Sequence, residues 1–83
     1  MSDEEKTREA LARYAHEAWA AYMGYFLGKC IVQPDGALLI PAGYVRAIER
    51  LIATPYADLY PADKDADRHE ADKMLTIMKA GRN

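Results

Sequence analysis

The sequence predicts a mainly α-helical protein: a compact three-helix domain with a short hairpin or ordered loop between helices 1 and 2. Three observations lead to this fold class. Apolar residues recur at intervals of three and four in three stretches of the chain. Pro and Gly residues separate these stretches, and a Pro-Asp-Gly turn sequence lies between the first two. The 83 residues are enough for one domain, which we expect to extend over residues 1–83.

The first helix is predicted to begin at Ser2 or Asp3 and to end near Gly24 or Gly28. Ser and Asp are residue types that cap helix N-termini, and Gly is common where helices stop. His16 lies at the edge of the apolar stripe of this helix. The residues expected to face the interior are Leu11, Tyr14, Ala15, Ala18, Trp19, Tyr22 and Phe26.

Two short apolar segments, residues 29–32 and 37–40, surround the sequence Gln33-Pro-Asp-Gly36. Proline fixes φ at the first central position of a turn, and glycine accepts a positive φ. The pattern therefore predicts a small hairpin, and an irregular ordered loop is the alternative.

The second helix is predicted over residues 44–53 and is opened by Pro41 and Gly43. It ends before Pro55, because the residue that precedes a proline disfavours the α conformation. Its inward residues are expected to be Val45, Ile48, Leu51 and Ile52. The third helix is predicted over Pro61–Ala80, with Gly81 as its stop. Its inner stripe is expected to be Ala71, Met74, Leu75 and Met78.

Charge and hydropathy exclude several classes of partner. Eleven basic and 13 acidic residues give a net charge of −2, and the basic residues are scattered, which argues against a nucleic-acid polymer as partner. No apolar segment approaches the roughly 20 residues that cross a bilayer, so we expect no membrane insertion. The acidic, polar N-terminus is unlike a secretion signal, so we expect a cytoplasmic protein.

The short length of the chain predicts self-association. A domain of this size buries only roughly 60 to 65% of its unfolded surface, and small domains usually need an oligomer, a metal or disulfides for stability. Cys30 is the single cysteine, and no His/Cys spacing is typical of a structural zinc site. We therefore expect a homo-oligomer, at least a dimer.

Catalytic and metal-binding motifs are missing from the sequence. Asp63, Asp65 and Asp67 alternate as in a calcium loop. However, Arg68 stands where that loop needs Gly, and Met74 stands where it needs Glu, so we interpret the acids as the start of a helix. No Ser, Thr or Cys has an adjacent base, and no glycine loop fits a phosphate. We predict a non-catalytic protein without a metal or cofactor.

The most distinctive feature of the chain is the pair His16 and Trp19. Three positions apart on a helix, they share one face, where an imidazole beside an indole forms a flat, partly polar surface for a planar molecule. Six of the eight aromatic residues are tyrosines, and we expect Tyr22 and Tyr56 to wall a cleft or a subunit interface beside Trp19. The alternative is that the tyrosines, and Trp19 itself, fill the edge of a small core.

A pair of basic residues on the third helix completes the predicted binding residues. Lys64 and Arg68 are four positions apart, and a guanidinium can bind a carboxylate or a phosphate with two hydrogen bonds. The alternative is that Arg68 pairs with Glu17 or Asp58.

Two segments of the chain match one known family. Residues 11–19, Leu-Ala-Arg-Tyr-Ala-His-Glu-Ala-Trp, are followed at residues 55–59 by Pro-Tyr-Ala-Asp-Leu and then by Lys64, Asp67, Arg68, Ala71 and Leu75. This pattern resembles the repeat domain of ryanodine receptors, which also occurs as a free-standing domain in bacteria and phages. Residues 24–28 only echo the Gly-Trp-x-Tyr-Gly element of the family, and residues 30–53 have no counterpart in it. The chain thus resembles a divergent, prokaryotic or viral member.

The resemblance implies a ligand and a role for each binding residue. In the receptors, the cleft between paired repeats is associated with adenine nucleotides. Trp19 would then stack on a base, His16 would hydrogen-bond to the base or a sugar, and Lys64 or Arg68 would neutralise a phosphate. A lone repeat would recreate the cleft by dimerising, and a phage copy would sequester an immune signalling nucleotide in the host cytoplasm.

Two other functions remain open from the sequence. The chain could be a structural or protein-interaction module that self-associates without a ligand. It could also be an enzyme that acts on a nucleotide with His16 as general base.

Overall fold

A computed structural model of the protein describes residues 2–81. The described elements are α1 (Asp3–Gly28), β1 (Ile31–Val32), β2 (Leu38–Leu39), α2 (Ala42–Ala53), a 3₁₀ turn (Tyr56–Asp58) and α3 (Pro61–Ala80). The prediction of a mainly helical protein with three helices and a hairpin between the first two is confirmed.

The described chain divides into two units. Unit 1 consists of residues 2–19 and 60–81, so it contains the first part of α1 and all of α3. Unit 2 is the continuous segment Ala20–Leu59, which contains the last turns of α1, the hairpin and α2. The six predicted ligand-binding residues are distributed over both units.

The ends of the helices in unit 1 are where the sequence predicts them. The Ser2 hydroxyl accepts a hydrogen bond from the Glu5 N–H at 3.1 Å and so caps α1. Pro61 is the first residue of α3. An N–H at this position has no partner within the helix, so the missing N–H of proline costs no hydrogen bond. Gly81 follows the last helical residue, and its N–H donates to the Ile77 carbonyl at 3.2 Å.

The packed faces of unit 1 differ in part from the predicted stripes. On α1, Leu11, Tyr14 and Ala18 are half-buried as expected, whereas Ala15 and Trp19 are exposed. On α3 the predicted stripe is wrong, because all of its members are exposed: Ala71, Met74, Leu75 and Met78. The half-buried line of α3 is instead Asp63, Glu70 and Ile77, in steps of seven. The reason is the orientation of α3: the Tyr14 hydroxyl donates to the Glu70 carbonyl, and Gly81 closely approaches Thr7.

The hairpin of unit 2 is built by the predicted turn. The Gly36 N–H donates to the Gln33 carbonyl at 2.9 Å, and the Gln33 N–H donates to the Ala37 carbonyl at 2.8 Å. Gly36 has a φ of 87°, in the left-handed region that favours glycine. The Asp35 carboxylate accepts a bond from the Ala37 N–H at 3.0 Å. These bonds set an antiparallel register that pairs Ile31 with Leu39 and Val32 with Leu38.

Helix α2, in unit 2, begins two residues before the predicted start. The N–H groups of Tyr44 and Val45 both donate to the Pro41 carbonyl at 3.0 Å, so the helix extends back to Ala42. Its end is as predicted, because Thr54, the residue before Pro55, is extended with φ −96° and ψ 118°.

The inward face predicted for α2 is only partly correct. Val45 and Ile48 are half-buried, but Leu51 is exposed and Ile52 is 80% exposed. The Phe26 and Tyr44 rings lie 5.9 Å apart, so the packing of α2 against the end of α1 involves the first turn of α2. The last turn, with Leu51 and Ile52, lies beyond that contact.

Neither unit contains the hydrophobic core that a compact domain requires. Among residues 2–81, no side chain is buried. Each unit has about 40 residues, and a segment that short cannot enclose many side chains by itself. The predicted compact packing is therefore not observed. Within the same residues, none of the helices combines the length and hydrophobicity that crossing a bilayer requires.

Candidate functional site

His16 and Trp19 lie side by side on α1 in unit 1. Their ring centroids are 6.0 Å apart, and the ring planes are inclined by 32°. His16 is exposed, and Trp19 is 60% exposed. The pair predicted from the spacing of three is thus formed, and a planar molecule can reach both rings from solvent.

Small residues of α1 leave this pair uncovered. Side chains of a helix lean toward its N-terminus, over the residue four positions earlier. That residue is Ala12 for His16 and Ala15 for Trp19, and both have small side chains. Alanine also has the highest helix propensity, which favours a regular helix that holds the rings at a fixed spacing.

Two further predicted residues, Lys64 and Arg68, belong to the same unit. Both are in α3, where Lys64 is half-buried and Arg68 is exposed. Arg68 Nη1 donates to Asp65 Oδ1 at 3.0 Å, within one turn of the helix. Both side chains of this ion pair are mostly exposed to solvent, so the pair contributes little to stability.

Tyr22 and Tyr56 belong to unit 2, where both are exposed. Their role in ligand binding therefore stays a prediction. Two other tyrosines, Tyr14 and Tyr44, are half-buried and take part in packing, as the alternative interpretation expects.

A feature that the sequence did not predict lies where the start of α1 meets the end of α3 in unit 1. Open grooves of about 420 and 390 Å³ lie there. The larger one is lined by Asp3, Lys6, Thr7, Ala10, Ile77, Ala80 and Gly81. These residues come from opposite ends of the chain, so no local pattern joins them. The only signal in the sequence is the small size of Ala10, Ala80 and Gly81, which lets two helices approach closely.

In residues 2–81, no group of three or more His, Cys, Asp or Glu side chains is arranged to bind a metal ion. Cys30 is a free cysteine whose thiol donates to the Phe26 carbonyl at 3.3 Å.

The resemblance to ryanodine-receptor repeats depends on two sequence motifs, and the structure shows which elements contain their residues. The His-x-x-Trp motif lies on a helix, α1, as the resemblance implies, and Lys64 and Arg68 lie on α3. Family membership stays a prediction. The chain matches no protein-family model, no curated protein and no solved structure.

Proposed function

We propose that this chain is a non-catalytic domain that binds a nucleotide-derived small molecule through His16 and Trp19. The observation that carries the proposal is the exposed pair itself, with ring centroids 6.0 Å apart and an inclination of 32°. An exposed indole beside an imidazole offers a stacking face together with hydrogen-bonding nitrogen atoms. That combination suits a nucleobase, which has both a π face and polar edges.

Two basic residues of unit 1 supply the groups that an anionic ligand needs. Lys64 and Arg68 are the basic residues that the family resemblance assigns to phosphate, and the Arg68 guanidinium donates a hydrogen bond to the exposed carboxylate of Asp65. A phosphate carries more charge than that carboxylate and accepts two parallel hydrogen bonds from a guanidinium. A ligand phosphate would therefore compete with Asp65 for this guanidinium.

Rough energies indicate that one copy alone binds weakly. Stacking of a base on an aromatic side chain contributes about 1–3 kcal/mol, and a hydrogen bond to a charged group contributes about 1.5–3 kcal/mol. Their sum corresponds to a dissociation constant on the order of 1 mM. Useful affinity needs a second wall over the ligand, and a second copy of the chain would supply it. A phage-encoded copy could then sequester an immune signalling nucleotide.

Trp19 makes the test direct, because it is the only tryptophan in the chain. Cyclic di- and trinucleotides and ADP-ribose derivatives are titrated while its fluorescence is followed, with calorimetry in parallel. We expect quenching by at least one probe, and loss of its binding heat in Trp19→Ala. Tyr25→Ala is the matched control, because Tyr25 is an equally exposed aromatic residue of α1 outside the predicted site. Absence of heat with every probe, or unchanged affinity in Trp19→Ala, would refute the proposal.

The non-catalytic part of the proposal is tested separately. A probe that binds is incubated with the protein and recovered for mass spectrometry. We expect an unaltered mass. A hydrolysed or transferred product would instead support the hypothesis of an enzyme with His16 as general base.

A second function, a structural or protein-interaction module that self-associates without a ligand, is favoured by a different observation. Large apolar side chains are exposed in both units, among them Trp19 in unit 1 and Val32 and Ile52 in unit 2. In this module Trp19 would be an interface residue, so Trp19→Ala should lower the mass measured by light scattering. In the ligand-binding domain the same variant should lose binding and keep its assembly.

A further inference from the structure

We infer that the hairpin binds the hairpin of a second copy of this chain. The hairpin surface consists of Ile31, Val32, Leu38, Leu39 and Ile40. The inference goes beyond the proposed ligand binding and does not depend on it, since none of these residues belongs to the predicted site.

Both faces of the hairpin are apolar and exposed. Ile31 pairs with Leu39 on one face, and Val32 pairs with Leu38 on the other. All four are exposed, and Val32 reaches 71%. An antiparallel sheet that faces water normally alternates apolar and polar side chains, so that one face is polar. A hairpin without a polar face is suited to contact with protein on both sides.

Part of the hairpin main chain is directed away from its own ladder. Gln33 and Ala37 form a hydrogen-bonded position, because the Gln33 N–H donates to the Ala37 carbonyl. Such positions alternate along an antiparallel ladder, so the next pair, Val32 and Leu38, directs its N–H and C=O groups toward the outer edges. Neither strand carries the charge or proline that commonly protects an edge from pairing.

The size of unit 2 indicates that a second copy is the partner. A unit of about 40 residues usually needs a disulfide, a metal or an oligomer for stability. Cys30 is unpaired, and residues 2–81 contain no metal-binding cluster, so association is the remaining means. A second copy of the chain is present wherever the chain is made, so we take it as the partner.

The exposed area is sufficient for a dimer. The side chains of the hairpin surface, together with Leu27, Leu51 and Ile52 of the same unit, are each at least 40% exposed. They expose on the order of 400 Å² of aliphatic surface. A standard interface covers about 800 Å² per partner, of which a little over half is apolar.

A two-fold axis fits this hairpin. Two copies of β1 related by such an axis run antiparallel, which completes a four-stranded sheet from two two-stranded ones. A two-stranded sheet is marginally stable in water, whereas three or more strands with an apolar face are stable. Val32, the most exposed residue of the hairpin surface, then lies near its own copy.

The test measures mass by light scattering over a range of protein concentrations. We expect at least twice the chain mass for the wild type, and a shift to the single-chain mass for Val32→Lys and Leu39→Lys. Leu75→Lys is the matched control, because Leu75 is as exposed as Leu39, at 49% and 53%, and lies in unit 1. We expect it to keep the wild-type mass. A single-chain mass for the wild type, or an unchanged mass in both hairpin variants, would overturn the inference.

A cross-linking experiment keeps the inference testable if the lysine variants fail to fold. Cys30→Ser removes the only cysteine and retains a donor for the Phe26 carbonyl. In that background Val32→Cys is expected to give a covalent dimer under mild oxidation, and Leu75→Cys is expected to give none. Equal cross-linking of both variants, or none in Val32→Cys, would contradict hairpin pairing. A further contradicting outcome is a wild type that has the single-chain mass and binds phosphatidylglycerol vesicles. That result would assign the hairpin to a membrane surface.

Discussion

The Tyr14 hydroxyl donates a hydrogen bond to the main-chain carbonyl oxygen of Glu70, 3.4 Å away, and so joins the middle of α1 to the middle of α3. The two residues are separated by 56 positions, and both are half-buried. Glu70 belongs to the half-buried line of α3, with Asp63 and Ile77, whereas the Met-rich face of α3 is exposed.

Tyr14→Phe tests the importance of this bond, because it removes the hydroxyl and keeps the ring. We expect a loss of about 0.5–1 kcal/mol in unfolding free energy, in the lower part of the usual range, since the bond is long and partly open to water. Urea unfolding followed by circular dichroism measures the change. An unchanged midpoint would show that the ring alone positions α3.

Gly81→Ala is expected to disturb the contact between the ends of α1 and α3. A Cβ at this position would overlap Thr7 Oγ1 and lie 3.2 Å from Thr7 Cβ. Threonine is β-branched and has little rotamer freedom, so the helices must separate, at a cost of about 1–3 kcal/mol. The double variant with Thr7→Ala should recover most of that loss in a double-mutant cycle of unfolding free energies.

Gly24→Ala should have the opposite effect. Gly24 lies inside α1, and a Cβ there would meet no atom within 4 Å. Alanine restricts the unfolded chain and favours the helix, so the unfolding free energy should rise by about 0.5–1 kcal/mol. The melting temperature from circular dichroism measures this. A decrease would indicate that a partner molecule packs against α1 at this glycine.

Gly36→Ala should weaken the hairpin. Gly36 has a φ of 87°, and an L-residue in this region costs roughly 1–2 kcal/mol. Gly36→Asn should cost less, because asparagine adopts the left-handed region more readily. Thermal unfolding of the three proteins should rank them Gly, Asn, Ala. If hairpins pair between copies, the same ranking should appear in the dimer dissociation constant.

Arg68→Gln separates a structural role from a binding role. The ion pair with Asp65 is mostly exposed and contributes little to stability, so the melting temperature should hardly change. Affinity for a phosphate-containing probe should fall about tenfold, since one charge-assisted hydrogen bond is lost. A large loss of stability with unchanged affinity would show that Arg68 has a structural role and no binding role.

Local signals predicted the elements of this fold well. Ser2 caps α1, the Pro-Asp-Gly turn forms the hairpin, and Pro61 begins α3. Each of these features depends on φ, on a capping oxygen or on a missing N–H, which are properties of single residues and their close neighbours. The His16 and Trp19 pair was predictable for the same reason, because helical spacing alone sets it.

Packing was predicted less well. Apolar periodicity assigned Met74, Leu75 and Met78 to the interior, but they are exposed, because a hydrogen bond from Tyr14 and a close approach at Gly81 turn a different face of α3 inward. Neither contact has a local signature. Apolar periodicity also does not reveal whether a stripe meets its own chain or another molecule. For this reason it could not predict that Ile52 is exposed.

The division of the chain has a consequence for biosynthesis. Unit 2 is one uninterrupted segment, whereas unit 1 needs residues from both ends. On the ribosome, the contacts of residues 2–19 with α3 can form only after α3 has been translated, while the hairpin can form as soon as Leu39 has left the exit tunnel. We expect neighbouring nascent chains on one messenger RNA to meet first through their β-strands, so that assembly begins during translation.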